Sequence, residues 1–312
     1  MSSIDNLTAI LKLLADQTRL RILAILDGTE LTVKEMTEIL QVGQSTLSTQ
    51  LGQLKDAGLL AARKQGQFVF YRIPNTDQGQ NNQELCTMIL HELPKAEWYE
   101  RDRRQVFEIL ERRREASISY FNTQKSQNQS SPGQTMQSLI LGLVQLIHDQ
   151  DIVDLGCGIG RLAAQLAQSG NRVTGIDNSP EQISVAQNLN RSVMQHHHLI
   201  FQCAPMEQSG LPAASYDSII ISQALHHAAK PQDVLVEASR LLRPKGRLLV
   251  IDLVRHEQDW IQDKFADFWL GFDTEELAGW LRIAGFQHIH HQIGIPDPDY
   301  PQIEPLIITA IK

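Results

Sequence analysis

Apolar positions recur at helical spacing through the start of the chain. Leu7, Ile10, Leu11 and Leu14 share one side of a first helix, and Leu20, Ile22, Leu23 and Leu26 share one side of a second, which Gly28 stops. Thr32 is placed to cap a third helix, VKEMTEIL. Gln41-Val42-Gly43 then turns the chain into QSTLSTQLGQLKDAGLL, a fourth helix whose Leu47, Leu51 and Leu54 face inward. Helix, short glycine turn, helix is the helix-turn-helix pattern. The period then shortens: AARKQGQFVFYRI holds two short apolar runs about Gln65-Gly66-Gln67 and predicts a β-hairpin, a wing beside the fourth helix.

Two Gln/Asn-rich stretches, Pro74 to Gln83 and Asn122 to Gln134, have too few apolar residues to offset the entropy of ordering and are expected as loops or linkers. Between them, ELCTMILHEL and RDRRQVFEILERRREASISYF keep helical spacing, with Val106, Ile109 and Leu110 on one side and Arg112 to Arg114 on another. Further on, IVDLG is a buried-strand pattern, Gly156-Cys157-Gly158-Ile159-Gly160 a turn, RLAAQLAQSG a helix closed by Gly170, and RVTGID a second strand ending in Asp177. The expected organisation is a winged-helix domain over 1–93, a helical connector and polar linker over 94–134, and an α/β domain over 135–312.

The outward residues of the fourth helix are Gln44, Ser45, Thr46, Ser48, Thr49 and Gln50, small or amide side chains that suit a major groove, where a merely solvated helix would more often carry Glu and Lys. Arg63, Lys64 and Arg72 flank the wing tip with Gln67 at its end, and suit phosphate contacts. LADQTRLRILAIL, QSTLSTQLGQLKDAGLL and the hairpin ending in FYRI resemble the ArsR-type winged-helix repressors over roughly residues 5 to 93. The resemblance implies a homodimer reading an inverted repeat in double-stranded DNA, with the first helix and a helix near Glu84 to Leu93 forming the dimer interface. Many such repressors sense metals through a cysteine pair in the third helix, and LTVKEMTEIL has no cysteine. Cys86, His91 and Glu92 are weak candidate ligands, because a soft-metal site asks for several thiolates or imidazoles on converging faces; no metal site is assigned.

Strand, glycine turn, helix, strand and terminal acid form a nucleotide-binding half of a doubly wound sheet. A dinucleotide site asks for G-x-G-x-x-G, whereas position 161 is Arg161 and the third glycine comes one residue early. With the strand SYDSIIISQALHH, the stretch LLRPKGRLLVIDL and the terminal pair FQHIHHQIG and PLIITAIK, the second region resembles the class I S-adenosylmethionine methyltransferases over about residues 136 to 312. That implies a Rossmann-like fold of seven strands with a final antiparallel hairpin, and S-adenosylmethionine or S-adenosylhomocysteine as ligand. By the resemblance, Gly156, Cys157, Gly158 and Gly160 lie under the methionine part, Asp154 orients its amino group, and Asp177 takes the ribose with Asn178 and Ser179 beside it. Met206 and Glu207 flank the adenine, and Ser222, Gln223 and Ala224 end the fourth strand under the ligand. Many relatives have a Gly-Asp pair where this chain reads Gln202-Cys203-Ala204-Pro205, so the adenine contacts carry over least securely.

His226 and His227 follow that strand and are weak catalytic candidates, since methyl transfer to a nucleophilic atom can proceed by positioning alone. The runs His196 to His198 and His288, His290 and His291 look metal-like, but neighbours on a strand point to opposite faces. Trp260, Phe265, Phe268, Trp269 and Phe272 come in quick succession and read either as a lid over an acceptor pocket or, more often for such spacing, as core.

Composition adds bounds. No apolar run approaches the roughly 18 to 20 residues of a membrane span, and MSSIDNLTAI lacks the features of a secretion signal. Cys86, Cys157 and Cys203 form no CxxC pair, which points to a reducing compartment, the cytoplasm. The net charge of -8 argues against indiscriminate nucleic-acid binding by the whole chain, yet residues 1–75 carry eight basic against seven acidic side chains. Similarity to winged-helix proteins fused to a methyltransferase domain extends over the full chain. The leading reading is a dimeric DNA-binding regulator whose second domain binds S-adenosylmethionine or S-adenosylhomocysteine as signal or cofactor. The alternative is a methyltransferase for a small-molecule acceptor with an appended winged helix, and a third, weaker reading is a metal-responsive repressor with an inert second domain.

Overall fold

The structure, a computed structural model, describes residues 3–65, 68–74, 86, 88–93, 96–123, 147–256, 258, 268–296, 298 and 300–312. Gln67, most of the two polar linkers, Trp260 and Phe265 lie outside the described residues. The chain divides into two compact units, 1–113 and 114–312.

In the first unit, α1 (Ser3–Leu14), α2 (Gln17–Leu26), α3 (Val33–Leu40) and α4 (Gln44–Asp56) close over a core that includes Ile22, Leu23, Met36, Ile39, Leu47, Leu51 and Leu54. Asp16 caps α2 by accepting the Arg19 N–H. Thr32 and Glu35 form a capping box at the start of α3, each side chain accepting the other's backbone N–H. β1 (Leu31–Thr32), β2 (Ala61–Gln65) and β3 (Phe68–Arg72) make an antiparallel sheet in the order β1-β3-β2, the base of the wing.

A long helix, α5 (Tyr99–Thr123), follows. Val106, Ile109 and Leu110 are buried, as their spacing predicts, and its polar side chains bind the four-helix module at several points. Asp102, fully buried, accepts a bidentate pair from Arg21 at 2.6 and 3.0 Å. Arg103 donates to the Asp27 carbonyl at 3.1 Å. Arg113 grips the Glu35 carboxylate at 2.6 Å, donates to the Glu30 carbonyl, and lies over the Phe70 ring of β3. The helix thus holds the module through Arg113, beyond the expected domain end at 93.

The second unit carries seven strands in the order β6-β5-β4-β7-β8-β10-β9. They are β4 (Asp151–Leu155), β5 (Arg172–Asp177), β6 (Leu199–Cys203), β7 (Tyr216–Ser222), β8 (Leu242–Leu253), β9 (Gln287–Ile293) and β10 (Pro305–Ile311). β6 through β8 pair in parallel, and β10 runs antiparallel to both its neighbours, the expected final hairpin. The crossovers are built by α6 (Arg161–Gln168), α7 (Pro180–Leu189), α8 (Arg191–His196), α9 (Pro231–Leu241) and α10 (Thr274–Ile283). β4 is buried on both faces, which is why it reads as a continuous apolar run. Strand order reverses at β4, with β5 on one side and β7 on the other. In such sheets the ligand crevice opens outside the carboxyl ends of the two strands at the reversal.

Candidate functional site

The glycine turn leaves β4 at that reversal. Gly156, Gly158 and Gly160 all have positive φ (80°, 52° and 74°), a conformation that costs residues with a Cβ. A Cβ on Gly156 would run into Ala224 Cβ and reach Met206 Sδ at 3.0 Å, and one on Gly160 would run into the Phe201 ring. Those two glycines let β4, β6 and β7 close under the turn. Gly158 differs: a Cβ there meets nothing within 4 Å, so its face of the turn is open.

Asp177, at the end of β5, spans this turn. One carboxylate oxygen accepts the Gly158 N–H and the other the Ser179 N–H, both at 2.9 Å. Burial raises its pKa, and the two N–H bonds hold the rise back. Asp154 is fully buried at the end of β4. Burial, and then the Asp177 charge, push its carboxyl up to about 7. Its Oδ2 has no hydrogen-bond partner among the described residues, and the same holds for Nε2 of Gln223, which follows β7 with φ 53°. A buried acceptor and a buried donor at one crevice form a place that a polar ligand completes. Asn178 and Glu207 are half-buried near the end of β5 and after β6, Ser179 caps α7, and Met206, Ser222 and Ala224 are buried. The structure therefore gathers the predicted residues about the carboxyl ends of β4, β5 and β7. Burial raises the Cys157 thiol well above its ordinary range, so it sits in the turn as a neutral group.

His226 lies in the short turn Leu225–His227 beyond β7, and sequence reasoning missed its partner. Its Nδ1 meets Oδ1 of Asp252 at 2.8 Å, in a pair with 5% and 0% side-chain exposure. The His226 ring lies 4.1 Å from that of His227. Asp252 stands on β8, 26 residues away in sequence, so no local pattern joins the two. The His226 carbonyl accepts the N–H groups of Phe268 and Trp269, and the Trp269 indole donates to Ala228. Trp269 and Phe272 are buried and pack with Trp280 of α10 at ring distances of 5.6 and 6.0 Å. They are core, which corrects the lid reading for these two rings.

In the first unit, Gln44, Ser45, Thr46, Ser48 and Thr49 are exposed on α4. The Thr49 hydroxyl donates to the Ser45 carbonyl, and Gln50 accepts from Arg19 at 2.9 Å. On the wing, Arg63 and Arg72 both meet the buried Glu30 carboxylate, at 2.7 and 3.3 Å, and Arg63 also stacks over Phe70. Lys64 is exposed. The two guanidiniums are thus engaged inside the unit, a pairing across 33 residues that the hairpin's own sequence does not reveal.

Two family models match the sequence of the chain. "Bacterial regulatory protein, arsR family" covers residues 16–62, and "Methyltransferase domain" covers residues 153–250. The chain joins an ArsR-family helix-turn-helix to a methyltransferase domain. An O-methyltransferase, resE, of Aspergillus sclerotiorum is 33% identical over 44% of this chain and 55% of its own length. A ubiquinone biosynthesis O-methyltransferase of Idiomarina loihiensis is 25% identical over 44% of this chain and 53% of its own. The chain spans about half the length of these curated relatives. Among solved structures, the [4+2]-cyclase SpnF superposes with a TM-score of 0.50 at 21% identity, over 60% of this chain and 84% of that one, a likeness of fold. A methyltransferase domain of this kind implies S-adenosylmethionine or S-adenosylhomocysteine as the bound ligand. The open face at Gly158 and the unpartnered Asp154 and Gln223 atoms fit a polar, cationic ligand of that kind. No described helix is long and apolar enough to cross a membrane, and no described cluster of His, Cys, Asp or Glu is arranged to hold a metal ion.

Proposed function

We propose that the protein is a dimeric, cytoplasmic, DNA-binding transcriptional regulator whose methyltransferase domain binds S-adenosylmethionine or S-adenosylhomocysteine as its signal. The observation that carries the reading is the grip of α5 on the DNA-binding module. The helix leading towards the cofactor domain is bonded to α3 through Arg113 and Glu35, to α2 through Asp102 and Arg21, and covers Phe70 of the wing. A change that reaches α5 acts on the elements that set the pose of α4.

On this reading the exposed Gln44, Ser45, Thr46 and Ser48 read base edges, Thr49 and Gln50 shape the helix surface around them, and Lys64 contacts phosphate. Leu7, Leu11, Met88 and Phe107 are exposed apolar side chains on α1, on the helical stretch 88–92 and on α5, and self-association would cover them. Cys86, Cys157 and Cys203 are free, in keeping with a reducing compartment. In the cofactor domain, Asp154 pairs with the ligand's amino group and Asp177 accepts the ribose hydroxyls, with Gly156 and Gly158 beneath the methionine part. When bound, S-adenosylmethionine supplies a methyl group on a positive sulfonium, the feature that S-adenosylhomocysteine lacks. Ionised carboxylates beside the ligand distinguish the two electrostatically.

The test is fluorescence anisotropy on a duplex recovered by selection from random sequence. Operator affinity should change when S-adenosylhomocysteine or S-adenosylmethionine is added. A flexible insert after Thr123 should reduce that change while leaving DNA and ligand affinities separately intact. Failure to select any duplex would overturn the proposal.

A further inference from the structure

Just beyond β8 the chain holds a buried hydrogen-bond donor that cofactor binding does not use. We propose that the cofactor domain takes a second small molecule, an uncharged planar carbonyl compound, and that His256 selects it by donating its Nε2–H to the carbonyl oxygen. This rests on the cofactor reading of the glycine turn and not on the DNA-binding reading.

The local chain sets the tautomer. His256 Nδ1 accepts the backbone N–H of Gln258 at 3.3 Å, so a neutral ring carries its single proton on Nε2. Burial, and then the His226 charge, push the His256 pKa down to about 4 against a smaller opposing pull from Asp252, so the ring is neutral at physiological pH. Nε2 is closed off from solvent and has no hydrogen-bond partner among the described residues. A buried N–H of this kind costs stability until something accepts from it.

The surroundings define what can accept. On the cofactor side, Gln223 donates its backbone N–H to the Ile251 carbonyl at 2.7 Å, and the next residue, Asp252, is the partner of His226. On the other side, the chain from Phe268 to Phe272 is fastened along residues 253–256: the His256 N–H donates to the Leu270 carbonyl and the Arg255 N–H to that of Phe272, both at 3.0 Å. A Cβ on Gly271 would run into the Val254 carbonyl, so the two backbones lie in close contact. An aromatic stretch, with Phe268 half-buried and Trp269 and Phe272 buried, is thereby held alongside the histidine, and flat apolar side chains suit a conjugated ring. The cationic groups here are already engaged: His226, with the His227 ring against it, meets Asp252 at 2.8 Å, and Arg255 meets Glu276 at 2.5 Å. A carboxylate or phosphate would be buried on a neutral N–H with the Asp252 charge close by, at a large desolvation cost. A carbonyl oxygen carries no charge and needs only the one donor.

2-Acetylnaphthalene is the probe. Its controls are 2-ethylnaphthalene, with a methylene in place of the carbonyl, and 2-naphthoate, an anion of the same outline. With the full chain saturated by S-adenosylhomocysteine, ligand-detected NMR should show the acetyl compound binding more tightly than the ethyl compound by roughly 5- to 150-fold, the cost of leaving a buried donor unpaired, with 2-naphthoate weaker than the acetyl compound. Two variants separate recognition from structure. A Gln amide nitrogen reaches the place of Nε2, whereas an Asn oxygen reaches that of Nδ1 and can accept the Gln258 N–H. His256→Gln should therefore keep the acetyl preference and His256→Asn should lose it; a purely structural histidine would give the reverse. Both variants should keep S-adenosylhomocysteine affinity, which controls for folding. In infrared spectra the carbonyl stretch of the bound probe should move to lower frequency in the wild type and His256→Gln, and stay unshifted in His256→Asn. With S-adenosylhomocysteine bound, no binding of 2-acetylnaphthalene, equal affinity for the ethyl compound, tighter binding of 2-naphthoate, or a preference that survives in His256→Asn would overturn the proposal alone. No binding of S-adenosylhomocysteine by the wild type would overturn the cofactor reading, and the proposal with it.

Discussion

The Asp177 carboxylate holds the glycine turn by accepting the Gly158 N–H at 2.9 Å. The acid expected to take a ribose therefore also sets the shape of the loop beside it. Asp177→Ala should remove charge-assisted bonds worth roughly 1.5 to 3 kcal/mol each, lowering affinity for both S-adenosyl ligands at least tenfold in calorimetry. Unchanged affinity would contradict the site.

Asp154 makes the site sensitive to pH. Its folded-state pKa of about 7 lies above the ordinary 3.8, so the apo domain binds a proton at Asp154 below pH 7, and its ionisation costs stability as pH rises from about 4 towards 7. A ligand ammonium favours the carboxylate, so S-adenosylhomocysteine affinity should fall as pH drops below 7, by up to about tenfold per unit. Calorimetry in buffers of different ionisation enthalpy should show a proton released on binding. Asp154→Asn should raise the apo melting temperature at pH 8, weaken binding and abolish the release.

The turn glycines should separate fold from ligand. Gly156→Ala places a methyl against Ala224 and should lower the melting temperature sharply. Gly158→Ala has room, so it should cost only the roughly 1 kcal/mol of a left-handed non-glycine residue while obstructing the face that receives ligand. Thermal melts with and without S-adenosylhomocysteine distinguish the two variants: Gly158→Ala should keep its melt and lose the ligand-induced rise.

On the wing, Lys64→Ala should lower the slope of log affinity against log salt by about one unit. Arg63→Ala should instead destabilise the first unit by about 1 to 3 kcal/mol, because it strips a partner from buried Glu30. Salt titrations with denaturant melts check both.

What was legible in the sequence was local. The Gly156 to Gly160 turn, Asp177 at the end of its strand, and the leucines of α4 follow from spacing within a few residues, and the structure places them so. The Arg63–Glu30 and His226–Asp252 pairs were not legible, because each joins residues brought together only by sheet pairing or strand order. The aromatic run misled for a related reason: Trp269 and Phe272 look available until Trp280, on another element, is seen packed against both.

The central claim is that cofactor state and DNA binding are linked, and linkage is reciprocal. The most direct test measures operator affinity in the apo protein and at saturating S-adenosylmethionine or S-adenosylhomocysteine, and then ligand affinity with and without operator. One of the two ligands should shift operator affinity by roughly 5- to 150-fold, and the operator should shift that ligand's affinity by the same factor. Equal operator affinity in all three states would contradict the account.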